Sequence, residues 1–461
     1  MKKQSNSPYS LPNIRLFIAF RVFFNARFYY PVFTILFLDF GLTIEQFALL
    51  NTVWAITIVS AEVPSGVLAD ILGRKYLIVT TSVLMVMEMC LIAFVPLGNS
   101  AVIFWVFLFN RVLSGLAEAM ASGADEAIAY DTLVANGTPD DWPRVLSLQM
   151  RLRSFASMIT MTVGALLYDP QVVARLLALA GIETSISQQT TMRFPIYLTL
   201  VLAILATVVA LKMEEERSTE QQENGFSIAG ALQKTWRAGL WIGRTPFALG
   251  VILFGMCYDH ILRMIVTMTS QYFRLIDLPE ASFGLIGSAM GLLGLITPKI
   301  AERMAAANSP RTNMLWVLAI AMAGLVGLTG FVPYWGLIPM GCIFGAMMLV
   351  SFFVSHYLNR ITESHQRATV LSFKGLAFNL AYGLIGFFFA ALITTLRLKE
   401  SSAHPDWSVT VVENRAFMEG IGWFPWYTLC CAGVLMIYCG YRLRKTDTYR
   451  KVPAQTSNTA P

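Results

Sequence analysis

Charge is scarce in this chain. Its 34 basic and 28 acidic residues make up 13% of 461 positions, about half the roughly 25% of a soluble globular domain. Cysteine is nearly as sparse. Cys90, Cys257, Cys342, Cys430, Cys431 and Cys439 each fall inside an apolar run, without the spacing of a metal site or a redox motif. That excludes a disulfide-built secreted module and leaves no metal centre to expect. The start is polar, and the apolar stretch after it is interrupted by Arg21, Asn25 and Arg27. An uninterrupted signal-peptide core is therefore lacking, and the first span is expected to be retained. What the chain has instead is apolar surface: 56% hydrophobic residues and a mean hydropathy of +0.59. Twelve spans of roughly 20 residues would take about 240 positions, close to the apolar total. The net charge of +6 suits cytoplasmic loops of a membrane protein and not a nucleic-acid partner. The expected class is an all-α polytopic membrane protein in a lipid bilayer.

Apolar runs lie near 17–38, 45–67, 76–97, 101–127, 145–168 and 194–212. A polar stretch from Lys212 to Arg237 then carries Glu214, Glu215, Glu216, Arg217, Glu220 and Glu223. Six more runs follow near 245–272, 281–298, 312–332, 336–358, 369–395 and 421–441. We expect an N-terminal six-helix bundle over 1–211, a cytoplasmic linker over 212–244, and a C-terminal six-helix bundle with a cytoplasmic tail over 245–461. With both termini inside, the outer segments hold only Arg175, Arg193, Arg274, Arg397, Lys399 and Arg415, and most other basic residues fall inside. That asymmetry obeys the positive-inside rule. A short echo joins the halves. Val145-Leu146-Ser147-Leu148-Gln149 opens the fifth span and Val370-Leu371-Ser372-Phe373-Lys374 the eleventh, as expected of parallel repeats about an axis along the membrane normal.

Between the second and third spans the sequence reads Gly66-Val67-Leu68-Ala69-Asp70-Ile71-Leu72-Gly73-Arg74-Lys75. This resembles the signature loop of the major facilitator superfamily, with Ile71 in place of the usual basic residue, and it occupies the loop in which that family carries it. Gly66 is expected to permit close helix approach and Gly73 a tight turn. The resemblance implies twelve transmembrane helices in two six-helix pseudo-repeat bundles. It also implies a gating latch of Gly66, Asp70, Gly73, Arg74 and Lys75 that favours an outward-open state. The physical alternative is a plain anchor of basic residues at the membrane surface. Arg111-Val112-Leu113-Ser114-Gly115 is similar to the family's fourth-span pattern, whose arginine the resemblance implicates in proton coupling. The fifth span shows only Gly164 and lacks the glycine–proline run of drug/proton antiporters.

An ionisable residue deep in a span is a functional candidate. A carboxylate shielded from water holds its proton to higher pH than a solvated one and can titrate near neutrality. Glu62, Glu88 and Glu118, with Arg111 as charge partner, are the proton-coupling candidates; each equally fits a structural ion pair. Asp125, Glu126 and Asp131 are expected to pair with Arg144, Arg151 or Arg153. Asp259 and Arg263, four apart, should satisfy one another, beside His260. Substrate-cavity candidates are Arg21, Asn25, Trp54, Tyr258, Asp259 and Asn379. No nucleophile–base pair or metal set points to an enzyme, and no cofactor is called for.

The sequence thus reads as a secondary active transporter. It would move a small organic solute across the inner membrane by alternating access, through proton-coupled efflux by a functional monomer. Proton-coupled import, siderophore or metabolite export, and a non-transporting receptor or scaffold are the rival readings.

Overall fold

Turns and caps punctuate an otherwise helical chain. A computed structural model describes residues 7–122, 124–215, 228–362 and 364–444, and no strand occurs among them. The first half comprises Pro12–Asn25 (α1), Phe33–Asp39 (α2), Ile44–Leu72 (α3), Arg74–Ala93 (α4), Ser100–Ala121 (α5), Ala124–Asn136 (α6), Trp142–Tyr168 (α7), Pro170–Leu179 (α8), Gln188–Thr191 (α9) and Phe194–Lys212 (α10). After the polar stretch come Ile228–Arg244 (α11), Pro246–Thr267 (α12), Thr269–Leu275 (α13), Phe283–Ala307 (α14), Pro310–Leu328 (α15), Leu337–Ile361 (α16), Ser364–Ala403 (α17) and Val409–Arg444 (α18).

Ten helical stretches among the described residues are long and apolar enough to cross a membrane. The other two crossings depart from a plain apolar helix. The expected run over 17–38 is broken: α1 stops at Asn25, a short 3-10 turn spans Tyr30–Val32, and α2 resumes at Phe33. Pro31 accounts for part of this, since it has no N–H to donate and disfavours helix in the residue before it. The fifth crossing, α7, carries Arg144, Arg151 and Arg153 in its first turns. The molecule is an all-α bundle of two six-helix halves. The stretch between the last two apolar runs, 396–420, is helical on both sides of a turn at 404–408.

The halves meet along two seams, α3 against α17 and α7 against α14. Both depend on close backbone approach. A Cβ on Gly284 of α14 would lie 2.0 Å from the Met161 carbonyl oxygen of α7, and one on Gly386 of α17 would lie 3.2 Å from the Ala48 carbonyl oxygen of α3. Along the other seam, Thr52 donates to the Gly383 carbonyl at 3.0 Å. One face of the bundle, the gate face, holds Asp39 and Arg274; the other, the linker face, holds Gly73 and Glu215.

Candidate functional site

The α3–α4 turn is built from one residue. Gly73 sits at φ +105° between the two helices, where an L side chain would be strained. Arg74 and Lys75 then begin α4, and the Glu215 carboxylate accepts from their backbone N–H groups at 2.8 and 3.3 Å. An anion there satisfies free N–H groups at the positive end of a helix. The Arg74 guanidinium pairs with Asp131. These bonds tie the first half to the start of the polar stretch and reach no residue of the second half. The side chain of Asp70 lies outside the described residues. Gly66 corrects an expectation: a Cβ there would meet open space, so it supports no close helix approach. Gly115 does, because a Cβ on it would come within 2.8–2.9 Å of Thr57 Cβ and the Trp54 carbonyl.

The buried acids sort into held and unheld. Glu88 is fully buried and takes a 2.5 Å contact from Arg27, itself 5% exposed. Arg111 is not its partner: it bonds Asn110 Oδ1 at 2.9 and 3.1 Å and lies over the rings of Phe33 and Phe37. Arg27, two residues past the end of α1, is therefore the missed member of this cluster. Asp125 and Glu126 pair with Arg21 at 2.5 and 2.6 Å, and Asp131 with Arg74, not with Arg144, Arg151 or Arg153. Arg144 instead pairs with Asp141 at 3.0 Å. Arg21 is thus engaged on α6, and Asn25 donates to the Arg21 carbonyl.

Glu118 and Glu62 have no ion-pair or side-chain hydrogen-bond partner among the described residues. Glu118 is exposed although it sits within a membrane-crossing helix. Arg27, Glu88, Arg21 and Arg153 are within electrostatic reach of it. Tyr30, 48% exposed, is within reach of the same group. Glu62 faces the second half, with Oε1 3.7 Å from where a Cβ on Gly375 would stand.

Across the interface, α12 and α17 assemble the opposite wall. Arg263 contacts Asp259 at 2.5 Å, donates to Asn379 Oδ1 at 2.9 Å and lies over the Tyr382 ring at 5.2 Å. Trp54 meets Tyr382 edge-on at 6.5 Å, so it joins the two walls. Lys374 lies over the Phe378 ring at 5.7 Å, within reach of Asp259 and Arg263. His260 faces away from this wall, bonded to Met256 O at 2.5 Å and the Tyr427 hydroxyl at 3.0 Å. Tyr258 likewise turns from it and donates to the Met314 carbonyl. Of the six cavity candidates, Trp54, Asp259 and Asn379 come together.

The gate face closes over this wall with charge. Arg274 grips Asp39 through two bonds of 2.8 and 2.9 Å, and Glu280 and Tyr168 complete the cluster. Glu45 pairs with Arg397 at 2.8 Å. Among the described residues every ion pair between the halves lies here. Thr34 and Ile35, whose backbone N–H groups donate to Ser270 Oγ, add hydrogen bonds just beneath.

The family description "Major Facilitator Superfamily" matches residues 15–389. No curated protein matches the sequence. Several solved structures share the fold. A variant of the nucleoside transporter NupG superposes with a TM-score of 0.69 at 12% identity, covering 92% of this chain and 98% of that one. A bacterial homolog of the human lysosomal transporter Spinster, in an inward-facing and unoccupied conformation, gives 0.67 at 11%, covering 95% and 98%. A D-xylose–proton symporter gives 0.60 at 13%, covering 92% and 96%.

Proposed function

The chain belongs to the Major Facilitator Superfamily, and from that premise we propose that it is a proton-coupled exporter of a small organic solute working by alternating access. The observation that carries this reading is the pair of carboxylates, Glu118 and Glu62, without partners among the described residues while Glu88, Asp125, Glu126 and Asp131 are held. An unpaired carboxylate inside a bundle is costly unless it is protonated or hydrated, so these two are suited to load and release a proton. Glu88 takes part through Arg27, whose charge is shared with the Glu118 surroundings. The solute would rest against Trp54, Arg263, Asn379 and Tyr382, with Asp259 and Lys374 setting the local charge.

The gate face is the outer side in this reading, since it carries Arg175, Arg193, Arg274, Arg397, Lys399 and Arg415, few of the 34 basic residues. The linker and both termini are then cytoplasmic, and in a bacterial cell the membrane is the inner one. In this reading the closed ion pairs of the gate face support a state sealed outside, with Arg74 held by Asp131 in the same state. The halves, residues 1–211 and 245–461, would rock about the central wall, with 212–244 as their tether.

The test is a metabolite and drug screen comparing cells that lack and overproduce the protein, followed by flux in proteoliposomes. Accumulation should fall in the overproducer, and an imposed proton gradient should drive flux of the hit. Flux that survives collapse of the proton gradient with a sodium gradient intact would reassign the coupling ion. Uptake in place of release would reverse the direction.

A further inference from the structure

A second site lies on the far side of α12 from the central wall. A groove of about 800 Å³ runs between α12, α15 and α18, and its walls include Phe247, Phe254, Met314, Met436 and Tyr441. Arg311, on the first turn of α15, is the single charged residue of its lining. It is exposed and has no ion-pair or hydrogen-bond partner among the described residues. The groove reaches from Phe247 to Tyr258 along α12, about 17 Å at 1.5 Å per residue. That is close to one leaflet of a hydrocarbon core roughly 30 Å thick. Gly440 lines it too, and a Cβ there would meet nothing within 4 Å, so the space is unfilled by the protein itself.

The first half is packed more closely at the corresponding place. Its matching helices, α4 and α10, pack against each other, and Ala203, Ala206 and Ala210 of α10 are fully buried. The looser packing of α15 on α18 is what leaves the groove in the second half.

We infer that the groove is a seat for an anionic phospholipid, its phosphate on Arg311 and an acyl chain along Phe254 and Met314. The shape is that of a chain and the one charge stands at its mouth, at the end of the helices where headgroups lie. Basic pockets between membrane helices recognise anionic headgroups in this way. The lipid would brace α12 from behind, against the face opposite Asp259 and Arg263.

Photoactivatable phosphatidylglycerol and phosphatidylcholine, each cross-linked to the purified full chain and mapped by mass spectrometry, test this. Phosphatidylglycerol should label the 247–258 or 436–441 segments in preference to phosphatidylcholine. Arg311→Gln should cut that labelling about fivefold, the worth of one basic residue near an anionic surface, and leave phosphatidylcholine labelling as it was. Gly440→Leu, whose Cβ meets nothing within 4 Å and whose side chain would occupy the groove, should reduce labelling by both lipids. Equal labelling by the two lipids, or an unchanged preference in Arg311→Gln, would overturn the proposal. Labels that map elsewhere would do the same.

Discussion

Asp39 and Arg274 stand 235 residues apart in sequence and share two hydrogen bonds of 2.8 and 2.9 Å across the seam between the halves. Tyr168 donates to the same carboxylate and Glu280 holds the other side of the guanidinium. The pair is partly buried, at 30% exposure for Arg274 and 17% for Asp39. A hydrogen bond to a charged group in such a setting contributes about 1.5–3 kcal/mol. Asp39→Asn should therefore shift the closed state toward opening by roughly tenfold or more. Ser270→Cys, in a background without the native cysteines, places a thiol just beneath the gate. Its labelling by a membrane-impermeant maleimide should accelerate in Asp39→Asn, and an unchanged rate would show that the pair does not hold this face shut.

Glu118 and Glu62 make a different prediction, because they differ from Glu88 in having no partner among the described residues. Glu118→Gln should abolish proton-driven flux while leaving exchange of solute for solute across the membrane. Exchange needs rocking of the halves but no net proton movement. Its pH dependence between pH 5 and 8 should flatten for the same reason. Glu62→Gln should give the same pattern in weaker form if the two share the proton. If both variants keep wild-type gradient-driven flux, the coupling site lies elsewhere.

Much of this was legible from residues alone, and the boundary has a physical cause. The class followed from scarce charge, and the one-residue turn at Gly73 followed from its place between two apolar runs. The i,i+4 pairing of Asp259 with Arg263 was readable because both sit on one helix. Pairings between helices were not. Nothing local marks Arg27 as the partner of Glu88, since that depends on how α1 breaks near Pro31 and where α4 passes it. Gly66 misled for the same reason: a glycine signals permission for close approach, and only the packing shows whether a neighbour takes it. The gate pair was hidden by its distance in sequence, with Arg274 noticed only as an outer basic residue.

The seams carry a steric prediction. A Cβ on Gly284 would stand 2.0 Å from the carbonyl oxygen of Met161, far inside contact distance, so α7 and α14 must separate to admit it. Overpacking of this kind costs about 1–3 kcal/mol. Gly284 sits in the first turn of α14 at the gate face, so Gly284→Ala should favour the state in which that face opens and not unfold the chain. Distances between spin labels at the gate-face ends of α7 and α14 should lengthen, with thermal stability little changed. A large loss of stability with unchanged distances would mean that the seam is fixed and takes no part in the cycle.

Arg27 and Glu88 offer the last test, which separates a structural pair from a coupling one. Both are buried, at 5% and 0% exposure, and in contact at 2.5 Å. Removing one member of a buried pair leaves an uncompensated charge and costs about 3–5 kcal/mol. Arg27→Gln alone or Glu88→Gln alone should thus lower the melting temperature in detergent. The double replacement removes both charges and should recover much of that loss, since a neutral pair of similar volume is often tolerated. Transport then decides the role. Were the pair only structural, the double variant would regain proton-driven flux along with stability. In the coupling arrangement proposed here it regains stability but not flux, because Glu118 has lost the neighbouring charge of Arg27 against which its proton is exchanged.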